Sequence, residues 1–325
     1  MTKFQSILLN WFSKHGRELP WRTPPQSSPC EGEETPPLFK RGKQGMFLRD
    51  PYLILISELM LQQTQVSRVL PKFTAFIEKW PTFANLTSAK QSDVIIMWQG
   101  LGYNRRAKFL WQTASVVTEQ LNGIFPSTVK DIQTLPGIGP YTARALAIFA
   151  LGLDEVTIDT NIRRILARVC IGTKQVSEKE LYTLAKKVVP EGKADAWHQA
   201  LMDFGSLVCL AKNPLCESCP LAEICVLNNE SKQLGCANAA DWLARQPKTK
   251  KVGKKDVGKK FEETDRYFRG RIIDFLRTGE QPMEALQSFI CIEKKLNDLV
   301  RFGEIIEALV KEHLIEMKGN NVRLK

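Results

Sequence analysis

The chain has 325 residues, 46 Lys and Arg against 35 Asp and Glu, and a formal net charge of +11. That length accommodates two or three domains. No apolar run is long enough for a membrane-spanning helix, which excludes a helical membrane protein, and the excess of cations points to a polyanionic partner, nucleic acid before a membrane surface.

Residues 1–12 read as an amphipathic helix with Phe4, Ile7, Leu8, Trp11 and Phe12 on one face, not as a signal peptide, and Leu19-Pro20-Trp21-Arg22 follows. Residues 24–48 are rich in Pro, Ser, Gly and Lys without an apolar period, and read as a disordered surface insertion. From 50 to 236, Leu, Ile and Ala recur at three-and-four spacing between Pro and Gly breaks, so the region is expected to be all-α. Asp50-Pro51 has the chemistry of a helix start, with Asp as N-cap and Pro in the first turn. The helix that follows carries Glu58 inside an apolar run. A carboxyl facing a wall of low polarity keeps its proton and can donate it. Taken alone, this helix favours the plainer reading of an exposed glutamate on its polar side.

Leu135-Pro136-Gly137-Ile138-Gly139-Pro140-Tyr141 precedes an Ala-rich helix. Gly137 and Gly139 permit close backbone approach, and the free amides of that helix start suit a phosphate. A lone G-x-G would indicate only a helix–turn–helix connection. Asp159 stands where a short extended run meets a new helix, and as N-cap it would accept from amides at 161 or 162. Those bonds would hold it ionised, so that it could stabilise a sugar cation while a neutral Glu58 protonates a leaving base. Cys209, Cys216, Cys219 and Cys225 fall within seventeen residues, a thiolate cage that on spacing fits either zinc or an iron–sulfur cluster. Thiols kept as metal ligands indicate a reducing cytosol. Residues 246–260 carry seven lysines and one acid and read as a solvated linker able to follow phosphates. The tail shows three helical patterns and a hairpin with a Gly/Asn turn at 319–321, a winged-helix pattern expected to help position DNA rather than to specify it.

These motifs, in this order, resemble the helix-hairpin-helix DNA glycosylase superfamily with an iron–sulfur cluster, and within it the MutY-type adenine DNA glycosylases. Leu19–Arg22 resembles the family's LPWR, residues 57–66 its SEVMLQQTQV helix, Gly100–Tyr103 its GLGY, and Ala200–Gly205 the stretch leading into its cluster. The resemblance implies a six-helix barrel at 49–153, a cluster domain from 1–23 and 154–236, a linker at 237–262 and a winged-helix-like domain at 263–325. It implies a 4Fe–4S cofactor on the four cysteines, Glu58 as the acid, Asp159 as stabiliser of the oxocarbenium ion, Asn161 as its helper and Tyr141 in the slot of a Schiff-base lysine. Gln63, Tyr103, Gly137, Gly139, Arg22 and Arg49 are the implied DNA-binding residues. The implied partner is duplex DNA with adenine opposite 8-oxoguanine or guanine, handled by a monomer in the cytoplasm, on the nucleoid. The sequence departs from the family at Asn104, where a second tyrosine is usual, and in its tail, where the family carries a Nudix-like module. The competing readings are a thymine or uracil glycosylase on the same scaffold, against which Glu58 argues, and a non-enzymatic cluster-bearing DNA-binding protein, against which the Glu58–Asp159 pair argues.

Overall fold

The computed structural model describes residues 1–22, 48–245, 260–296 and 298–325. The insertion expected at 24–48 lies outside the described residues except for Leu48, and the lysine-rich run lies outside them except for Lys260. Helix α1 (Lys3–His15) opens with a capping box between Thr2 and Gln5. Helix α2 (Pro51–Leu61) starts as its sequence indicates: the Asp50 carboxylate accepts the Tyr52 N–H and Pro51 fills the first position. Then come α3 (Val66–Lys79), α4 (Phe83–Ser88), α5 (Gln91–Met97), α6 (Arg105–Ser115), α7 (Val129–Ile132) and α8 (Pro140–Phe149). They surround a core that contains Ile56, Phe73, Phe76, Trp98 and Leu146.

A second core joins α1 to α9 (Thr160–Leu166), α10 (Glu178–Val188) and α11 (Ala194–Leu207) through Phe4, Leu8, Ile165, Trp197 and Phe204. Helices α12 (Val226–Gln233) and α13 (Ala239–Arg245) follow the cysteine loop. Phe4 and Leu8 belong to this second core, whereas Leu19 and Trp21 belong to the first, so the chain passes between the two before Pro20.

The tail holds α14 (Asp265–Leu276), β1 (Gln281–Pro282), α15 (Met283–Ser288), α16 (Leu299–Lys311), β2 (Ile315–Lys318) and β3 (Asn321–Leu324). The β2–β3 hairpin pairs Ile315 with Leu324 and Lys318 with Asn321, and Gly319 turns it at φ +59°. Strand β1 adds to the free side of β3. It has two residues and ends in Pro, too short to show alternation in the sequence. The tail is not a tethered appendage. Its Phe268, Ile272 and Leu309 are part of the same apolar core as the barrel helices. Arg277 donates to the carbonyls of Ile95 and Ile96, the latter at 2.7 Å, closing the C-terminal end of α5, and reaches Asn104 Oδ1 at 3.3 Å. Lys108 Nζ donates to the Glu312 carbonyl at 2.6 Å. Asn104 is thus a docking point for the tail.

Candidate active site

Helix α2 turns Glu58 into a small cavity of about 80 Å³ whose walls include Leu19, Trp21, Ile54, Val66 and Phe149. Burial among these groups, and then the charge of Asp159, push the Glu58 carboxyl up to about 7. Of the two readings the helix allowed, the cleft-facing one holds. Asp159 caps α9, accepting the Ile162 N–H at 2.7 Å and Asn161 Nδ2 at 3.1 Å. Burial raises its pKa, and those hydrogen bonds and Arg164 draw it back without cancelling the rise. The sequence argument thus identified the capping bond but left out the cost of burial. Tyr141, in the first turn of α8, has its hydroxyl pKa raised by burial and by both carboxylates. Glu58, Asp159 and Tyr141 therefore share one electrostatic site.

Supporting groups fix these three. His198 on α11 accepts the Thr157 N–H through Nε2 at 3.2 Å, and its Nδ1 bonds the Ala194 carbonyl at 2.7 Å. Burial lowers its pKa, so the ring is neutral and anchors the extended run before Asp159. Arg164 donates to Asn161 Oδ1 at 2.8 Å, to the Gly205 carbonyl at 2.7 Å and to the Cys209 carbonyl at 2.8 Å. One guanidinium thereby ties the Asn161 amide, which donates to Asp159, to the first cysteine of the cage. At Gly205 a Cβ would lie 2.6 Å from that of Asn161, so α9 and α11 meet here only because the residue is glycine. Asp203 is fully buried and takes paired bonds from Arg22 (2.8 and 2.8 Å) and Arg17 (2.8 and 2.6 Å). Burial alone would raise its pKa, but the arginines hold it below the usual carboxylate value.

Arg22 and Arg49 were expected among the DNA-binding residues, but the structure gives their guanidinium groups internal partners. Arg22 is clamped on Asp203, and Arg49 pairs with Asp195 at 2.7 Å and donates to the carbonyls of Arg22 and Phe149. Both also line the Glu58 cavity, so they build its wall. Sequence reasoning missed His198, Arg164, Asp195 and Asp203. Only Asp203 carried a signal, as part of the Ala200–Gly205 run.

Gln63 and Tyr103 sit side by side, with the Tyr103 hydroxyl donating to Gln63 Oε1. Both have left-handed backbone, φ +56° and +49°, a conformation rarely taken without glycine. Arg106 holds them there, donating to the carbonyls of Gln62 (2.8 Å), Leu101 (2.9 Å) and Gly102 (3.0 Å). In the hairpin before α8, Gly137 has φ +73° and a Cβ there would strike the Phe109 ring at 2.3 Å. Gly139 is the N-cap of α8, with open space around it, so the first amides of the helix face outward.

Cys209, Cys216, Cys219 and Cys225 line one cavity of about 30 Å³. Burial pushes the Cys219 thiol up to about 12, so ionisation at this site requires a cation to offset it. Four cysteine thiols ring this cavity with no His, Asp or Glu among its lining residues, an all-sulfur donor set that fits an iron–sulfur cluster. Arg168 donates toward Cys209 Sγ at 3.5 Å, a contact suited to a charged thiolate.

Comparison with known proteins agrees with this architecture. Residues 56–191 match the family model of the HhH-GPD superfamily base excision DNA repair proteins, and residues 209–225, which begin and end at the outer two of the four cysteines, match the iron–sulfur binding domain of endonuclease III. Among solved structures, a thermostable thymine-DNA glycosylase superposes with a TM-score of 0.58 at 28% identity, covering 70% of this chain and 95% of its own. The human adenine DNA glycosylase is 37% identical over 69% of this chain and 39% of its own length. An adenine DNA glycosylase of Mycolicibacterium smegmatis is 32% identical over 96% of this chain and 92% of its own length. That likeness runs through barrel, cysteine loop and tail alike, and with it the chain belongs to the adenine DNA glycosylases, base-excision enzymes with a 4Fe–4S cluster.

Proposed function

We propose that the enzyme releases adenine mispaired with guanine or 8-oxoguanine, as a monofunctional glycosylase acting by N-glycosidic hydrolysis, with Glu58 as acid and Asp159 as the carboxylate facing the sugar cation. The observation that carries this reading is the asymmetry between the two acids. Glu58 is cut off from water by burial and has a pKa near 7, whereas Asp159 accepts hydrogen bonds from Ile162 and Asn161 and lies beside Arg164. The acid that ionises less readily protonates the leaving base. The acid with hydrogen-bond partners stays charged and lowers the energy of the oxocarbenium ion. Asn161 orients Asp159, and Tyr141 has no amine with which to form a Schiff base, so the product strand keeps an intact abasic site.

Gln63 and Tyr103 would enter the duplex where the adenine leaves, and the Gly137–Gly139 turn would hold a backbone phosphate. Cys209, Cys216, Cys219 and Cys225 are the proposed cluster ligands. When bound, the cluster supplies a rigid cross-link for the 209–225 loop. The proposed division is a barrel at 49–153, a cluster domain from 1–23 and 154–236, and a tail domain at 263–325, in a monomer working on the nucleoid in the cytoplasm. The test is single-turnover base release from duplexes carrying adenine, thymine or uracil opposite guanine and 8-oxoguanine. Release of adenine alone, with strands left uncut before alkali, is the expected result. Release of thymine or uracil in preference to adenine would overturn the reading.

A further inference from the structure

A second cleft, apart from the Glu58 cavity, lies between the barrel and the tail. It encloses about 920 Å³ between the 100–109 segment of the barrel and α14 of the tail, and shares no lining residue with that cavity. Seven arginines line it against two carboxylates, Asp274 and Glu312. Most of these arginines are engaged: Arg277 on carbonyls of α5, Arg105 and Arg269 on Glu312, Arg271 on Asp274. Arg266 is different. It pairs with no carboxylate among the described residues. Its guanidinium carbon lies 3.9 Å over the Tyr103 ring and 5.7 Å from the centre of the Phe261 ring, and Phe261 is itself 53% exposed.

A planar cation at that distance occupies the face on which a nucleobase would stack. Exposed aromatic rings, a cation without a carboxylate partner and a nucleotide-sized volume together describe a site for an unpaired nucleotide. The cleft adjoins the right place, since Gln63, hydrogen-bonded to Tyr103, follows directly on the helix that bears Glu58. Drawing adenine out of a duplex leaves one base without a partner.

We propose that this cleft receives the nucleotide left unpaired opposite the excised adenine, and that Arg266 is a specificity-determining residue that yields the Tyr103 face to that base and turns its fork to the base edge. The inference rests on the adenine-excision reading for the identity of the unpaired nucleotide. It makes the tail a contributor to reading of the opposite strand, where composition alone indicated a positioning role.

The test is equilibrium binding of the full chain to duplexes that carry a tetrahydrofuran abasic analogue in place of the excised adenine. The facing position is guanine, 8-oxoguanine or a second tetrahydrofuran, so no turnover is involved. The wild-type protein should bind the two base-containing duplexes about tenfold more tightly than the double analogue, the worth of the guanidinium fork on one base edge. Arg266→Ala should erase that preference, and Arg266→Lys, which keeps the charge but not the plane, should fail to restore it. Equal binding of all three duplexes by the wild type overturns the proposal. So does an Arg266→Ala variant, folded by thermal melting, that weakens all three duplexes alike, because Arg266 would then be a plain phosphate contact. Adenine release from a guanine mismatch is measured separately. Its absence with the binding preference intact would sink the excision reading and leave the cleft standing.

Discussion

Glu58 sets chemistry against stability. Its carboxyl ionises near 7 in the fold against 4.5 for the free side chain. A raised carboxyl pKa means that the folded state binds a proton the unfolded chain has released. Folding is therefore unhindered by this group below pH 4.5 and is progressively penalised as pH rises to about 7, by about 3 kcal/mol beyond it. Glu58→Gln should abolish adenine release, a loss of at least about 10²-fold, while duplex binding persists. The same variant should melt higher than the wild type at pH 8 and together with it at pH 4. Wild-type turnover by the variant, or a melting difference independent of pH, would contradict this account. A second expectation concerns the wild-type rate. Base release should decline as pH rises through about 7, because the proton to be delivered is lost. A flat profile between pH 6 and 9 in single-turnover measurements would remove Glu58 as the acid.

The helices were legible from sequence because apolar periods and caps are local. Asp50-Pro51 and the Gly137–Gly139 turn each act within a few residues of themselves. The contacts that orient the site are not local. Arg164 reads as a basic residue on a helix until α11 brings the Gly205 and Cys209 carbonyls to it. Arg22 and Arg49 read as DNA-facing because a basic chain with a DNA-binding resemblance offers no hint that Asp203 and Asp195 are waiting inside. Pairing across elements is set by packing, which spacing along the chain does not encode. Arg164→Ala should therefore slow base release about tenfold by freeing the Asn161 amide from its carbonyl-side anchor, with mismatch affinity nearly unchanged, since the residue faces inward. Arg164→Lys, a single donor in place of a fork, should recover only part of the rate. Equal losses in rate and affinity would indicate general damage to the cluster half rather than misorientation of Asp159.

At the scale of the molecule, the tail unites what composition had separated. A lysine-rich stretch ahead of a small domain describes a tether, and a tether predicts that removing residues 246–325 spares the body of the enzyme. The packing predicts otherwise. Leu309, Ile272 and Phe268 are buried against the barrel core, and Arg277 satisfies carbonyls at the end of α5, immediately ahead of the Gly100–Tyr103 loop. Removal would expose that apolar face to water at about 25 cal/mol per Å² and leave the α5 carbonyls without their donor. The truncated chain should melt several degrees lower than the whole one, and its duplex affinity should depend less steeply on salt because cations have been lost with the tail. Arg277→Ala isolates the first effect: it should lower the melting temperature and slow base release through a looser Tyr103 loop, while the salt dependence falls by about one phosphate contact at most. If truncation changes the salt dependence and leaves the melting temperature untouched, the tail is a tethered clamp after all, and the contacts between α14, α16 and the barrel do not hold the enzyme together.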